Sequence, residues 1–148
     1  MTYKEEYRDL FSVDDSYYFA HCISADFALG AGITKQFVKK FNTRGQLFLL
    51  THGEDLTNYW DDGLEGFCIL TDRVFNLVTK RNYWDKPTLM TMRYALINMM
   101  RGCKKIGVEK LAMPQIGCGL NNLNWDDVSE LIKEVFENTN IEILVCIK

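Results

Sequence analysis

Two kinds of apolar segment alternate along the 148-residue chain, and their order limits the fold more than any other feature. Tyr17-Tyr18-Phe19-Ala20-His21-Cys22-Ile23 is short, aromatic and followed by a turn-prone stretch, which predicts a buried strand. Ile33, Phe37 and Phe41 fall on one face at i, i+4 and i+8, which predicts a helix over 33–41. Leu47 to Leu50 suits either strand or helix, and the polar stretch from Thr51 to Gly63 reads as a loop. Gly66–Thr71 and Val74–Thr79 read as two strands joined at Asp72-Arg73. Pro87-Thr88 opens a helix whose stripe is Leu89, Met92, Leu96, Met99, Cys103 and Ile106, and Gly107 stops it. Leu111-Ala112-Met113 is a short central strand ended by Pro114. Asn124 caps the clearest helix, striped by Val128, Leu131, Ile132, Val135 and Phe136, and Ile141–Ile147 is a buried closing strand. The resulting order (strand, helix, strands, helix, strand, helix, strand) implies a single α/β layered domain around a central sheet.

Composition narrows the function by exclusion. With 47% hydrophobic and 25% charged residues, the chain has the make-up of an ordinary folded domain. A net charge of -3 offers no basic footprint for a nucleic-acid backbone. The two histidines, His21 and His52, cannot build a His-rich metal centre, and neither a metal nor a cofactor is expected. Five cysteines without a C-x-x-C pair suit reduced thiols, so a cytoplasmic protein is the expectation; a monomer is expected as well. The first residues lack the apolar run of a signal peptide, and no segment approaches the roughly 20 apolar residues that span a bilayer.

In sheets of this kind ligands sit beyond the carboxyl ends of the strands. The loops Ser24–Gly32, Thr79–Lys86 and Pro114–Asn124 all leave such ends. Gly30-Ala31-Gly32 lies between a strand and a helix start, where backbone N–H groups and the helix dipole bind phosphate. The dinucleotide pattern G-x-G-x-x-G fails at Lys35, and no Walker-type loop is present. Gly117-Cys118-Gly119 lies in Leu111–Trp125, fifteen residues without a formal charge. Two such loops facing one crevice suggest a pyrophosphate clamp. At the same rim, Lys80 is either a solvated cation or an amine drawn into the crevice as a nucleophile. Cys22 and Cys118 read as packing residues rather than nucleophiles, His21 as a hydrogen-bonded core residue, and the Met-rich helix as core. Arg73, Lys80, Arg81 and Lys86 are the residues that can form a basic patch near the mouth.

Taken together, the motifs resemble the macrodomains. The likeness is greatest to the terminal ADP-ribose protein glycohydrolases and the glycohydrolases of bacterial DNA ADP-ribosylation systems. The matching segments are Arg8-Asp9-Leu10-Phe11, Ala20-His21-Cys22-Ile23-Ser24, Gly30-Ala31-Gly32-Ile33, Leu77-Val78-Thr79-Lys80, Lys86-Pro87-Thr88, Met113 to Leu120, and Trp125. They keep one order over nearly the whole chain. The resemblance implies a single three-layer α/β/α macrodomain over 1–148, with a central mixed sheet, that binds ADP-ribose. On it, Asp9 accepts from the adenine amino group and Leu10 lies beside the ring. Ser24, Gly30, Ala31, Gly32 and Ile33 line the distal ribose and phosphates, while Ile116, Gly117, Cys118, Gly119 and Leu120 complete the clamp. His21, Thr79, Pro114, Gln115 and Cys146 join the implied ligand-binding set. Lys80 falls where the family's lysine attacks the anomeric carbon of the distal ribose, releasing ADP-ribose from a glutamate ester on protein or from a nucleobase in DNA.

The chain departs from the family pattern at three positions. Asn121 stands at the place of the family's catalytic aspartate, and an amide cannot shuttle a proton. Three explanations fit: a binder that lost turnover, a substitute carboxylate such as Asp126 or Asp26, or an engineered change. Arg8 replaces a common glycine, and Cys146 replaces an aromatic residue near the adenine. The implied activity is mono-ADP-ribosyl glycohydrolysis, and the alternatives are a non-catalytic ADP-ribose reader or a deacetylase of O-acetyl-ADP-ribose.

Overall fold

Strands that carry apolar residues on both faces need a layer of helices on each side. The computed structural model, which describes residues 1–30, 32–61, 66–118 and 122–148, has that arrangement. Its strands are β1 (Thr2–Tyr7), β2 (Tyr18–Ser24), β3 (Phe67–Thr71), β4 (Val74–Lys80), β5 (Lys110–Met113) and β6 (Glu142–Ile147). The helices are α1 (Gly32–Phe41), α2 (Thr43–Leu50), α3 (Leu89–Ile106) and α4 (Trp125–Phe136). The sheet order is β1-β6-β5-β2-β4-β3, with only the β3–β4 pair antiparallel. The mixed sheet of the α/β/α expectation is therefore present.

Period-two alternation sorts the strand residues between the two layers. Ala20, Phe75, Leu77, Leu111, Met113, Ile143 and Val145 pack with α3 and α4. On the other face, Phe19, Val74 and Leu144 pack around Phe37 of α1, while Ile23 and Val78 pack around Leu47 of α2. The ambiguous Leu47–Leu50 run is thus helical, and only Leu47 of its leucines is buried; Leu49 is 78% exposed. In α3 the middle of the stripe is buried, but its ends, Leu89 and Ile106, are 42% and 48% exposed.

Caps follow from residue type. Thr88 and Thr91 form a reciprocal capping box at the start of α3, and Gly107 ends it in the left-handed region at φ 75°. Asn124 accepts from the backbone N–H groups of Asp126 and Asp127 to start α4. Thr91 Oγ1 also donates to the Thr79 carbonyl at 2.7 Å, which ties the start of α3 to the end of β4.

β1 is the element that the sequence reading lacks. It pairs in parallel with β6 from Thr2↔Glu142 to Tyr7↔Ile147 and forms the sheet's outer edge. Tyr3 is its anchor, packing on the α3–α4 side and hydrogen-bonding Ser129 at 2.8 Å. No described helix is long and apolar enough to cross a membrane.

Candidate functional site

Five parallel strands end at one edge of the sheet, and a cavity of about 860 Å³ runs along it. The strand order sets the order of its walls. Arg8, Leu10 and Cys146 come from the β1–β6 side, and Pro114, Gln115, Ile116, Gly117 and Cys118 follow β5. Gly32, Ile33 and Thr34 enter from the first turn of α1, and Thr79 and Lys80 from the end of β4. A second cavity of about 520 Å³ shares Cys22, Thr34 and Lys80 with the first and adds Ser24, Gly30 and Tyr83. A third, of about 250 Å³, shares Thr79 and Lys80 and adds Trp60, Arg81 and Lys86. Lys80 lines all three.

Loop-to-loop hydrogen bonds hold Lys80 in that position. Its Nζ donates to the Tyr83 carbonyl at 3.1 Å, and the Tyr83 N–H donates to Asp26 Oδ2 at 2.9 Å. The other carboxylate oxygen, Oδ1, accepts from the Ser24 hydroxyl and from the Ala28 N–H. Backbone bonds continue the seam, Ala25 N–H to the Lys80 carbonyl at 2.9 Å and Asp26 N–H to the Arg81 carbonyl at 3.1 Å. Asp26 therefore acts as a tether, already accepting three donors, and it lines none of the three cavities. Asp126 sits in the first turn of α4, exposed and also outside these walls.

Behind the wall lies a buried polar chain. His21 Nε2 is 2.5 Å from Asn76 Oδ1, and His21 Nδ1 is 3.2 Å from Thr34 Oγ1. The Asn76 amide donates to the Ile69 carbonyl, to Thr71 Oγ1 and to the Val74 carbonyl. Burial drives the His21 pKa down to about 4, which the hydrogen bond to Asn76 only partly offsets, so the ring is neutral near pH 7.

Burial also pushes the Cys22 thiol up to about 12 and the Cys118 thiol up to about 11, which leaves both as protonated wall groups. Arg8 is braced at the opposite end. Its Nε donates to Ser12 Oγ at 3.0 Å, Nη2 to the Ser12 carbonyl at 3.1 Å, and Nη1 to Glu6 at 3.2 Å.

The sequence-predicted residues fall into three groups. Leu10, Ser24, Gly30, Gly32, Ile33, Thr79, Lys80, Pro114 to Cys118 and Cys146 line the two larger cavities. His21 and Asp9 lie behind or beside the walls: His21 is fully buried, and Asp9 caps a 3-10 turn by accepting from the Phe11 N–H at 3.0 Å. Ala31, Gly119, Leu120 and Asn121 lie outside the described residues. Arg73 needs a correction. It stands at the far end of β4 from Lys80, donating to the Tyr17 and Asp15 carbonyls, because the β3–β4 turn points away from the crevice. Only Lys80, Arg81 and Lys86 of the expected basic patch share the rim. Thr34, Tyr83 and Trp60 are wall residues that the sequence reading did not name.

Comparisons with known proteins agree with this architecture. No protein-family model matches the chain. Over 139 residues it is 39% identical to "ADP-ribose glycohydrolase OARD1" of Homo sapiens and of Bos taurus, a match that covers 93% of this chain and 86% of those proteins. Among solved structures, the macrodomain of Thermus aquaticus DarG superposes with a TM-score of 0.78 at 18% identity, covering 98% of this chain and 97% of that one. Thermosipho africanus DarTG, solved in complex with ADP-ribose, superposes with a TM-score of 0.68 at 17% identity, covering 95% of this chain and 40% of that one.

Proposed function

The chain belongs to the macrodomain family that includes the ADP-ribose glycohydrolase OARD1, and on that premise we propose that it binds ADP-ribose and removes single ADP-ribose groups from glutamate esters or nucleobases. The observation that carries the reading is Lys80. Among the described residues, Lys80 is the wall residue common to these three cavities, and the Tyr83 carbonyl holds its Nζ at the carboxyl end of the sheet.

In this reading the adenine lies between Arg8, Leu10 and Cys146. The diphosphate spans the first turn of α1 and the Gly117 loop, where backbone N–H groups and the dipole of α1 favour an anion. At Gly117, φ of +68° favours glycine, and a Cβ would stand 2.5 Å from Met92 Cε. The uncharged stretch Leu111–Trp125 lets the phosphates approach without repulsion. The distal ribose then reaches Lys80.

Reaction proceeds by displacement. Lys80 Nζ, after giving a proton to solvent, forms a bond to the anomeric carbon as the bond to the carboxylate oxygen, or to the base nitrogen, breaks and its electron pair leaves with that group. Water then displaces the lysine and gives free ADP-ribose. The step lacking a partner is proton transfer: Asn121 can hydrogen-bond a hydroxyl but cannot carry a proton, and such a loss costs about 10²- to 10⁴-fold in rate. Asn121 also favours a second reading, a reader that binds ADP-ribose without turnover.

Titration calorimetry with ADP-ribose, followed by long incubation with glutamate-linked and thymidine-linked ADP-ribose, tests both readings. Binding with product from either substrate, lost in Lys80→Ala, supports hydrolysis. Binding without product supports the reader. Absence of binding refutes both.

A further inference from the structure

The crevice wall at Thr34 is chemically one-sided, and the cause lies behind it. The Asn76 amide nitrogen donates to the Ile69 carbonyl at 3.0 Å, to Thr71 Oγ1 at 2.8 Å and to the Val74 carbonyl at 3.2 Å. Those acceptors fix the amide's orientation, so its oxygen faces His21. A carbonyl oxygen 2.5 Å from His21 Nε2 demands a proton on that nitrogen. The ring is neutral and has one N–H, so Nδ1 is left as an acceptor.

Thr34 Oγ1 is 3.2 Å from Nδ1 and 3.3 Å from the Cys22 carbonyl, two acceptors on the protein side. Its single hydroxyl proton is therefore committed inward, whichever of them takes it. Towards any ligand that reaches it, the Thr34 oxygen can then only accept. The residue stands where the two larger cavities meet, together with Cys22 and Lys80.

From this geometry we infer that Thr34 is a specificity-determining acceptor which takes a hydrogen bond from a sugar hydroxyl of the ligand and repels a phosphoryl or carboxylate oxygen at the same point. His21 and Asn76 are positioning residues that act through it. The inference rests on the proposed ADP-ribose reading and deepens it. The hydroxyl next to Lys80 belongs to the distal ribose, so the wall separates a ligand with that sugar from one that ends in phosphate. His21 thereby reaches the ligand at second hand, without touching it.

The test compares ADP-ribose with ADP, which lacks the distal ribose, by calorimetry on the wild type, Thr34→Val and Thr34→Ser. The valine variant keeps the shape and removes the acceptor. It is expected to weaken ADP-ribose about 5- to 10-fold while ADP changes less than about 2-fold, and the serine variant restores the preference. Long-range ¹H–¹⁵N spectra of the wild type supply an independent readout, expected to show His21 protonated at Nε2 alone. If both nucleotides bind the wild type and Thr34→Val weakens them equally, or if Nδ1 carries the proton, the assignment falls and the functional reading stands. If the wild type does not bind ADP-ribose, the functional reading falls and takes the assignment with it.

Discussion

His21 turns acid into a defined loss of stability. In the unfolded chain its pKa returns to about 6.5, and in the fold burial holds it near 4. The folded state therefore binds fewer protons between those values. The resulting stabilisation is fully present above about pH 6.5 and is lost as the pH falls towards 4. At pH 5 the two proton-binding polynomials differ about 30-fold, a loss of about 2 kcal/mol, and the limit in strong acid is about 3 kcal/mol. With an m-value of about 2 kcal/mol/M, the loss at pH 5 lowers the urea midpoint by about 1 M. Equilibrium urea unfolding of the wild type and His21→Gln at pH 7, 6 and 5 isolates it, because every other titration cancels in the difference. The wild type is expected to lose about 2 kcal/mol of its margin over the variant between pH 7 and 5. A margin constant to within about 0.5 kcal/mol would refute the claim that the ring is buried and neutral.

Three further outcomes are expected. Asn121→Asp raises the turnover of either ADP-ribosylated substrate about 10²- to 10⁴-fold, read by product formation, if the amide is what limits proton transfer. Asp26→Ala removes the acceptor of three hydrogen bonds, lowers Tm by about 4–8 °C and reduces kcat more than it raises the Kd for ADP-ribose, because Lys80 loses its tether through Tyr83. Gly66→Ala places a Cβ 2.1 Å from the Thr91 carbonyl oxygen and 2.7 Å from the Ala95 nitrogen, both backbone atoms. The helix has to move, and thermal unfolding is expected to fall by about 5 °C or more.

Most of the layered plan was legible because its signals are local. The stripes of α3 and α4, the caps Thr88 and Asn124, and the terminator Gly107 act within a turn or two of themselves. β1 was not legible, because an edge strand with Lys4, Glu5 and Glu6 among its residues has no apolar pattern; its order comes from pairing with β6, 140 positions away at Thr2↔Glu142. At the site, glycines and Lys80 were readable by type and by loop. Tyr83 was not, since it works through its backbone carbonyl and N–H and any residue supplies those. Asp26 looked like a spare carboxylate and is occupied by donors from two loops. Thr34 was invisible because its polarity is set by Asn76 through His21, a relation across two strands and a helix. Arg73 was misplaced for a simpler reason: hairpin turns and strand ends alternate between opposite edges of a sheet, and residue type does not say which.

The meeting of three chambers at Lys80 bears on how the proposed reaction ends. On the proposed reading, ADP-ribose occupies the long chamber and the detached group lies towards the smaller one lined by Trp60 and Lys86. That arrangement predicts random rather than ordered product departure, which product-inhibition kinetics check. An excess of the released partner is then expected to inhibit without competing against ADP-ribose.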